Sequence, residues 1–261
     1  MKHWILYCQM LLAFTISLSM PTSAYTISPS IVSLKTTGNQ SGTFLRLGNK
    51  GKAIAAVELN IYKHSKDIDG KSIKGADANE DFIIHPHQVV MMPGDEVTVQ
   101  LLWIGEPELD AEQAYTIVTR EISLPTKATD EPDLGSEPST ALTMSIKVLI
   151  NYEGRVYVAP PGAKPKAIIA SVKEYSDSVG QEIIEVFLEN QGTAHKPTRW
   201  MNFIFIPLDP MGARLKQQAV TIPSSEISGM RPHLLPGTQR RVLIPRPSGL
   251  PLGKFDVLLS E

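Results

Sequence analysis

Between Phe82 and Pro125 the chain reads FIIHPHQVVMMPGDEVTVQLLWIGEPELDAEQAYTIVTREISLP: strand, Pro-Gly turn, alternating strand, acidic loop, strand. Val97, Val99, Leu101 and Trp103 alternate with Thr98, Gln100 and Leu102, the period of a strand with one buried side. A helix cannot use that period, so this stretch commits the chain to sheets.

The same period recurs on both sides. Thr43, Leu45 and Leu47 alternate with Phe44 and Arg46, and Ala53, Ala55, Val57, Leu59 and Ile61 oppose Glu58 and Asn60. Turn signals separate the runs at Gly48-Asn49-Lys50-Gly51, Asp69-Gly70, Pro93-Gly94 and Gly105 to Pro107. Strands are expected over Ile27–Leu34, Thr43–Leu47, Ala53–Tyr62, Phe82–Val90, Glu96–Trp103, Tyr115–Leu124 and Leu142–Val158. About seven strands suit an immunoglobulin-like sandwich.

Pro160-Pro161-Gly162-Ala163-Lys164-Pro165 interrupts the pattern, because proline cannot continue a ladder and stiffens the chain. A domain boundary is expected there, giving domains over 25–160 and 161–261. Beyond it, apolar alternations at Ala167–Val172, Glu182–Leu188, Trp200–Ile206, Arg240–Ile244 and Phe255–Leu259 make a second, smaller β domain. Leu235-Pro236-Gly237-Thr238 echoes Met92-Pro93-Gly94-Asp95, which hints at a pair of related sandwiches. The fold class is therefore all-β.

Residues 1–24 begin with Lys2, run apolar from Trp4 to Met20 and end in Thr22-Ser23-Ala24, the pattern of a secretory signal peptide. Tyr25 is the expected first mature residue. Cleavage would remove the single cysteine, Cys8, and leave an exported chain stabilised by apolar cores without disulfides, which suits the bacterial periplasm. The formal charge of −2 gives no electrostatic case for nucleic acid, and no direct insertion into a membrane is expected.

Leu142, Met144, Ile146, Val148 and Ile150 project from one face of a strand, with Thr143, Ser145, Lys147 and Leu149 on the other. As a core strand this is ordinary. The long acidic, proline-bearing segment before it, TKATDEPDLGSEPST, is unlike a hairpin turn and suits a strand at a sheet edge. An edge strand with regular apolar teeth can complete a partner's sheet, main-chain bonds giving affinity and side chains giving register.

Several elements together resemble the chaperone-usher family of periplasmic pilus and fimbrial chaperones, PapD-like in architecture and nearest the archaic branch. They are Asp81, Phe82, Pro86, Gln88, Pro93-Gly94, Glu112, Tyr115, Ile122 to Pro125, and the stretch Val148-Leu149-Ile150-Asn151-Tyr152-Glu153-Gly154-Arg155-Val156-Tyr157-Val158-Ala159-Pro160. The resemblance implies two immunoglobulin-like β-sandwich domains in an L-shaped arrangement. It also implies a non-enzymatic chaperone without a cofactor, which binds pilus subunits by donor-strand complementation and passes them to an outer-membrane usher. Leu142, Met144, Ile146, Val148 and Ile150 would be the subunit-binding strand, and a self-capping oligomer of the free protein is consistent with it.

In that family a Lys on the last strand and an Arg on the first grip the subunit's terminal carboxylate. Lys147 is the expected Lys, whereas the first strand carries Ile31 where the Arg would stand. Arg120 or Arg155 would have to substitute, or the strand would carry the anchoring alone. Ala159 replaces the family's Arg before Pro160, so the cation for Glu112 must come from elsewhere or be absent.

Two other readings compete. His85-x-His87, with His64 and Met91-Met92, suggests a copper- or zinc-binding sandwich, although Pro86 bends the segment and exposed histidines are the commoner outcome. An adhesin-like structural module is the other. For catalysis there is no Gly-x-Ser-x-Gly elbow, phosphate-binding glycine loop or His-Glu-x-x-His helix.

Overall fold

A computed structural model of the protein describes residues 25–122 and 149–260. The first ten strands are β1 (Tyr25–Ser28), β2 (Ile31–Lys35), β3 (Gly42–Asn49), β4 (Ala55–Lys66), β5 (Ser72–Asp77), β6 (Phe82–His85), β7 (Gln88–Met91), β8 (Glu96–Trp103), β9 (Gln113–Ile122) and β10 (Asn151–Ala159). They form one sheet in the order β1-β3-β8-β6 and another in the order β2-β10-β9-β4-β5, with β7 also on β4. Their inner faces meet in a core that holds Leu45, Leu47, Val57, Leu59, Ile61, Val99, Leu101, Tyr115 and Val156. These are the alternating positions that the sequence marks as apolar.

Six further strands make a second sandwich: β11 (Ala167–Ser176), β12 (Glu182–Asn190), β13 (Asn202–Pro207), β14 (Val220–Pro223), β15 (Gln239–Pro245) and β16 (Phe255–Ser260). Sheets β11-β12-β15 and β14-β13-β16 close on a separate core that includes Ile184, Val186, Leu188, Phe203, Phe205, Val242 and Ile244. The all-β class and the two sandwiches agree with the periodicity.

Two expected strands are each divided by a proline. Ile27–Leu34 becomes β1 in one sheet and β2 in the other, with Pro29 between them. Phe82–Val90 becomes β6 and β7, again in different sheets, with Pro86 between them. Proline has no N–H to continue a ladder, so the chain leaves one sheet and joins its partner across the sandwich. The strand expected over Leu142–Val158 is assigned from Asn151 to Ala159, and its residues 142–148 lie outside the described residues.

The Pro-Gly echo belongs to a larger repeated device. Asn49 and Asn190 are 2% and 0% exposed, at the ends of β3 and β12. The Asn49 amide donates to Ala53 O (2.8 Å) and Met91 O (3.0 Å) and its Oδ1 accepts from Gly51 N–H (2.9 Å). The Asn190 amide donates to Ala194 O (2.8 Å) and Leu234 O (3.0 Å) and its Oδ1 accepts from Gly192 N–H (3.0 Å). Each backbone carbonyl takes the N–H of the Pro-Gly glycine, Gly94 to Asn49 (2.9 Å) and Gly237 to Asn190 (2.8 Å). Both glycines have positive φ, 89° and 66°, which the turns require and a side chain would oppose.

An amide is the one short side chain that both donates twice and accepts, so no apolar residue can fill this corner. Asn49→Ala and Asn190→Ala are each expected to cost about 2–4 kcal/mol, because three backbone partners of Asn49 and four of Asn190, Lys166 N–H included, lose their bonds around a buried amide. Urea unfolding followed separately in each sandwich checks this, with Asn49→Ala lowering the first transition and Asn190→Ala the second.

Candidate functional site

The outer face of the six-stranded sheet turns toward the second sandwich. From β4 come His64 and Lys66, from β9 Thr116, and from β10 Arg155 and Tyr157, because alternate residues share a face. The second sandwich supplies His195 from the loop after β12, His233 from the loop before β15, and Arg240 on β15.

Tyr157 is 1% exposed and central to the joint. Its ring stacks on His195 at 4.1 Å, and the His233 ring meets it edge-on at 5.4 Å. Burial and the nearby Glu112 carboxylate push the phenol up to about 12. It therefore stays protonated at neutral pH, and its hydroxyl shares a hydrogen bond with His233 Nδ1 at 2.9 Å.

Glu112, in the loop before β9, finds its partner across the joint. Its Oε1 lies 2.7 Å from His195 Nδ1 and accepts the His195 backbone N–H at 3.1 Å. Glu112 N–H donates to Thr193 O at 2.9 Å. The partner of Glu112 is thus a histidine of the second sandwich, in place of the arginine that Ala159 does not supply.

The hairpin of β4 and β5 forms a second clamp. Lys66 Nζ donates to His233 O at 3.1 Å and also to Pro232 O. At the hairpin tip Ile68 O accepts Arg241 N–H at 2.7 Å, and the Arg241 guanidinium grips Asp69 in a fork with bonds of 2.8 and 3.0 Å. Gly70, at φ +74°, lies against Arg240, where a Cβ would approach the guanidinium carbon to 2.5 Å. The buried Arg240 donates in turn to Arg231 O (2.8 Å) and His233 O (3.0 Å).

These contacts gather cations. Burial and then Arg240, Arg155 and Arg231 push the Lys66 ammonium down to about 8, and its bonds go to carbonyls. Arg155 stands opposite Ile31 in the parallel pairing of β10 with β2. It donates to Gly154 O, to Ser72 Oγ at 3.2 Å and more loosely to Glu153 at 3.4 Å, and keeps 23% of its side chain exposed. His64, only 6% exposed, lies 3.3 Å from Thr116 Oγ1. Burial, with Arg155 and Lys66 beside it, lowers it to about 4.

Leu142, Met144, Ile146, Lys147 and Val148 lie outside the described residues. Ile150 packs against the first core, accepts from the Tyr25 hydroxyl at 3.0 Å, and sends its N–H toward Glu121 Oε2 at 3.4 Å. Arg120 is exposed opposite Asn151, about 13 Å along β9 from the pair Thr116 and Arg155. Arg155, of the two alternative arginines, is therefore the one at the joint. His85 and His87 are exposed, and His64 is in the sheet opposite to that of His85, bonded to Thr116. Among the described residues no group of three or more His, Cys, Asp or Glu side chains is arranged to hold a metal ion.

The sequence reading does not anticipate Lys66, His195, His233 or Arg240. Asp67, which accepts from Asp69 and Lys71 N–H, marks a tight hairpin tip, and that turn signal was the available clue. Gly70→Val is expected to lift the tip from β15. Hydrogen exchange should then show lost protection at the Arg241 amide while the amides of β12 keep theirs. For His64 the folded value lies below the unfolded 6.5, so its contribution is full above 6.5 and declines as pH falls toward 4. The first sandwich's urea midpoint should drop across that window, and His64→Gln should flatten the drop.

No protein-family model matches the chain, and no curated protein matches its sequence. Solved structures do match. A chain from a chaperone–tip adhesin complex of CFA/I fimbriae biogenesis aligns at 14% identity and TM-score 0.53, over 90% of this chain and 98% of that one. The class 5 fimbriae chaperone CfaA aligns at 14% identity and TM-score 0.53, over 91% and 99%. A chain of the CsuC–CsuE chaperone–tip adhesion subunit pre-assembly complex, from archaic chaperone-usher Csu pili of Acinetobacter baumannii, aligns at 15% identity and TM-score 0.51, over 90% and 97%. The likeness spans both sandwiches, and the fold of this chain is the fold of these fimbrial chaperones.

Proposed function

We propose that this protein is a periplasmic, non-enzymatic chaperone of pilus or fimbrial subunits, which holds them by donor-strand complementation and delivers them to an outer-membrane usher. The observation that carries this reading is the likeness of fold over nearly the full length of fimbrial chaperones, two of them from complexes with tip subunits. The leader-like residues 1–24 support an exported location.

The subunit-binding strand in this reading is Leu142, Met144, Ile146, Val148 and Ile150. Ile150 directly precedes β10 and packs against the first core, at the end of the β9–β10 ladder away from Tyr157. A subunit sandwich that lacks one strand would take main-chain bonds from this segment and seat its apolar side chains in the open groove. Subunit folding and later exchange for a better-fitting strand supply the driving force without a nucleotide.

The subunit's terminal carboxylate needs cations or backbone donors. Arg155 suits that role: it is on β10 at the joint, opposite Ile31, and among the described residues the carboxylate it contacts is Glu153, at a loose 3.4 Å. Lys66 lies in the same electrostatic neighbourhood. Lys147 would then act farther along the donated strand, fixing register instead of closing a two-cation clamp.

The test is co-expression of the full chain with a candidate subunit encoded beside it, followed by recovery of a soluble complex. The double variant Met144→Asp plus Ile146→Asp is expected to reduce recovery by about tenfold or more, since two carboxylates cannot enter an apolar groove. Arg155→Ala should weaken capture while leaving the fold intact. Equal recovery with the double variant and the unaltered chain would sink strand donation.

A further inference from the structure

His233 occupies an unusual place in the domain joint. Its backbone is in the left-handed region at φ 63°, which a non-glycine residue adopts only where its surroundings impose it. Those surroundings are the Lys66 ammonium and the Arg240 guanidinium, both bonded to its carbonyl. The His233 ring is thereby delivered to the Tyr157 hydroxyl of the other sandwich.

The charged and titratable groups around the ring come from every element packed on it. Tyr157 on β10 shares a hydrogen bond with it, and His195, from the loop after β12, meets it edge-on at 4.8 Å. Lys66 on β4, Arg240 on β15 and Arg199 from the loop before β13 are cations in its field. Of the carboxylates near the joint, Glu112 is engaged by His195 and Asp67 lies in the field of Arg240. A proton added to the His233 ring therefore enters a site lined by cations.

We propose that the Tyr157–His233 contact is an acid-sensitive latch between the two sandwiches: protonation of His233 makes both ring nitrogens donors, adds a cation beside Lys66, Arg240 and Arg199, and by that repulsion loosens the joint. This reading rests on the joint alone and is independent of what the protein binds. Burial and the neighbouring cations lower docked His233 to about 4, whereas an undocked histidine returns toward 6.5. Docking is thus complete above 6.5 and weakens as pH falls, by about tenfold between pH 7 and 5.5.

Two interdomain amides report the docked state directly: Glu112 N–H, bonded to Thr193 O, and Arg241 N–H, bonded to Ile68 O. Their hydrogen-exchange protection, corrected for intrinsic pH dependence, would be compared in the full protein with that of Val186 inside β12. Protection of both joint amides is expected to fall about tenfold from pH 7 to 5.5 while Val186 is unchanged. His233→Asn keeps an acceptor for Tyr157 and tolerates the left-handed backbone, so its protection should be independent of pH. Should that variant loosen the joint at every pH, its slope remains readable, and Arg199→Gln gives a second arm in which the fall is expected to be smaller than in the unaltered protein. A flat profile in the unaltered protein, a slope retained in His233→Asn, or an Arg199→Gln profile as steep as the original would overturn the latch; the second of these would assign the response to another group, His64 first.

Discussion

Each sandwich depends on one buried asparagine. In a two-sheet fold the strand ends are where backbone groups lose their ladder partners while the core keeps water out, and unpaired groups there are costly. Asn49 and Asn190 solve this twice with one pattern of bonds, tying the strand end, the residue four places on and the Pro-Gly turn into a single corner. The turn sets the start of β8 in one domain and β15 in the other, so register propagates from the corner into the sheet beside it. Because β15 also carries Arg240 and Arg241, the second corner positions half of the domain joint as well.

The joint itself is a polar seam joined by backbone bonds instead of an apolar interface. Arg241 N–H, Glu112 N–H and the two carbonyls held by Lys66 make the sandwiches share main-chain groups. Such bonds fix orientation more sharply than apolar contact, which is non-directional. They also concentrate charge where water is scarce. That is why Lys66, His64 and His233 are all driven toward their neutral forms on one small face.

Much of this was legible in the sequence, and the failures have physical causes. Strands that bury one face, such as β8 and β12, announce themselves by alternation. The hairpin strand β5 does not, because all six of its residues are exposed and it buries nothing; only its pairing with β4 makes it a strand. Pro29 and Pro86 were visible, yet periodicity alone does not tell a break from a transfer between sheets. The corner was also visible: Asn49-Lys50-Gly51-Lys52-Ala53 and Asn190-Gln191-Gly192-Thr193-Ala194 share Asn-x-Gly-x-Ala at equal spacing, a stronger echo than the Pro-Gly turns alone.

The site residues divide along the same line. Positions on a strand's buried face follow from periodicity, as Leu45, Leu47, Val99 and Leu101 do in the first core. Residues that act across the joint carry no local signal, because what brings His195 to Glu112 and His233 to Tyr157 is the packing of two domains 76 to 83 residues apart in sequence. The resemblance to a family anticipated an acid at Glu112 and a missing arginine at Ala159. Replacing that arginine by a histidine changes the chemistry of the seam, since a guanidinium is charged at every accessible pH and an imidazole is not. The latch proposed for His233 needs a group that can gain a proton, which an arginine in the same seam would not supply.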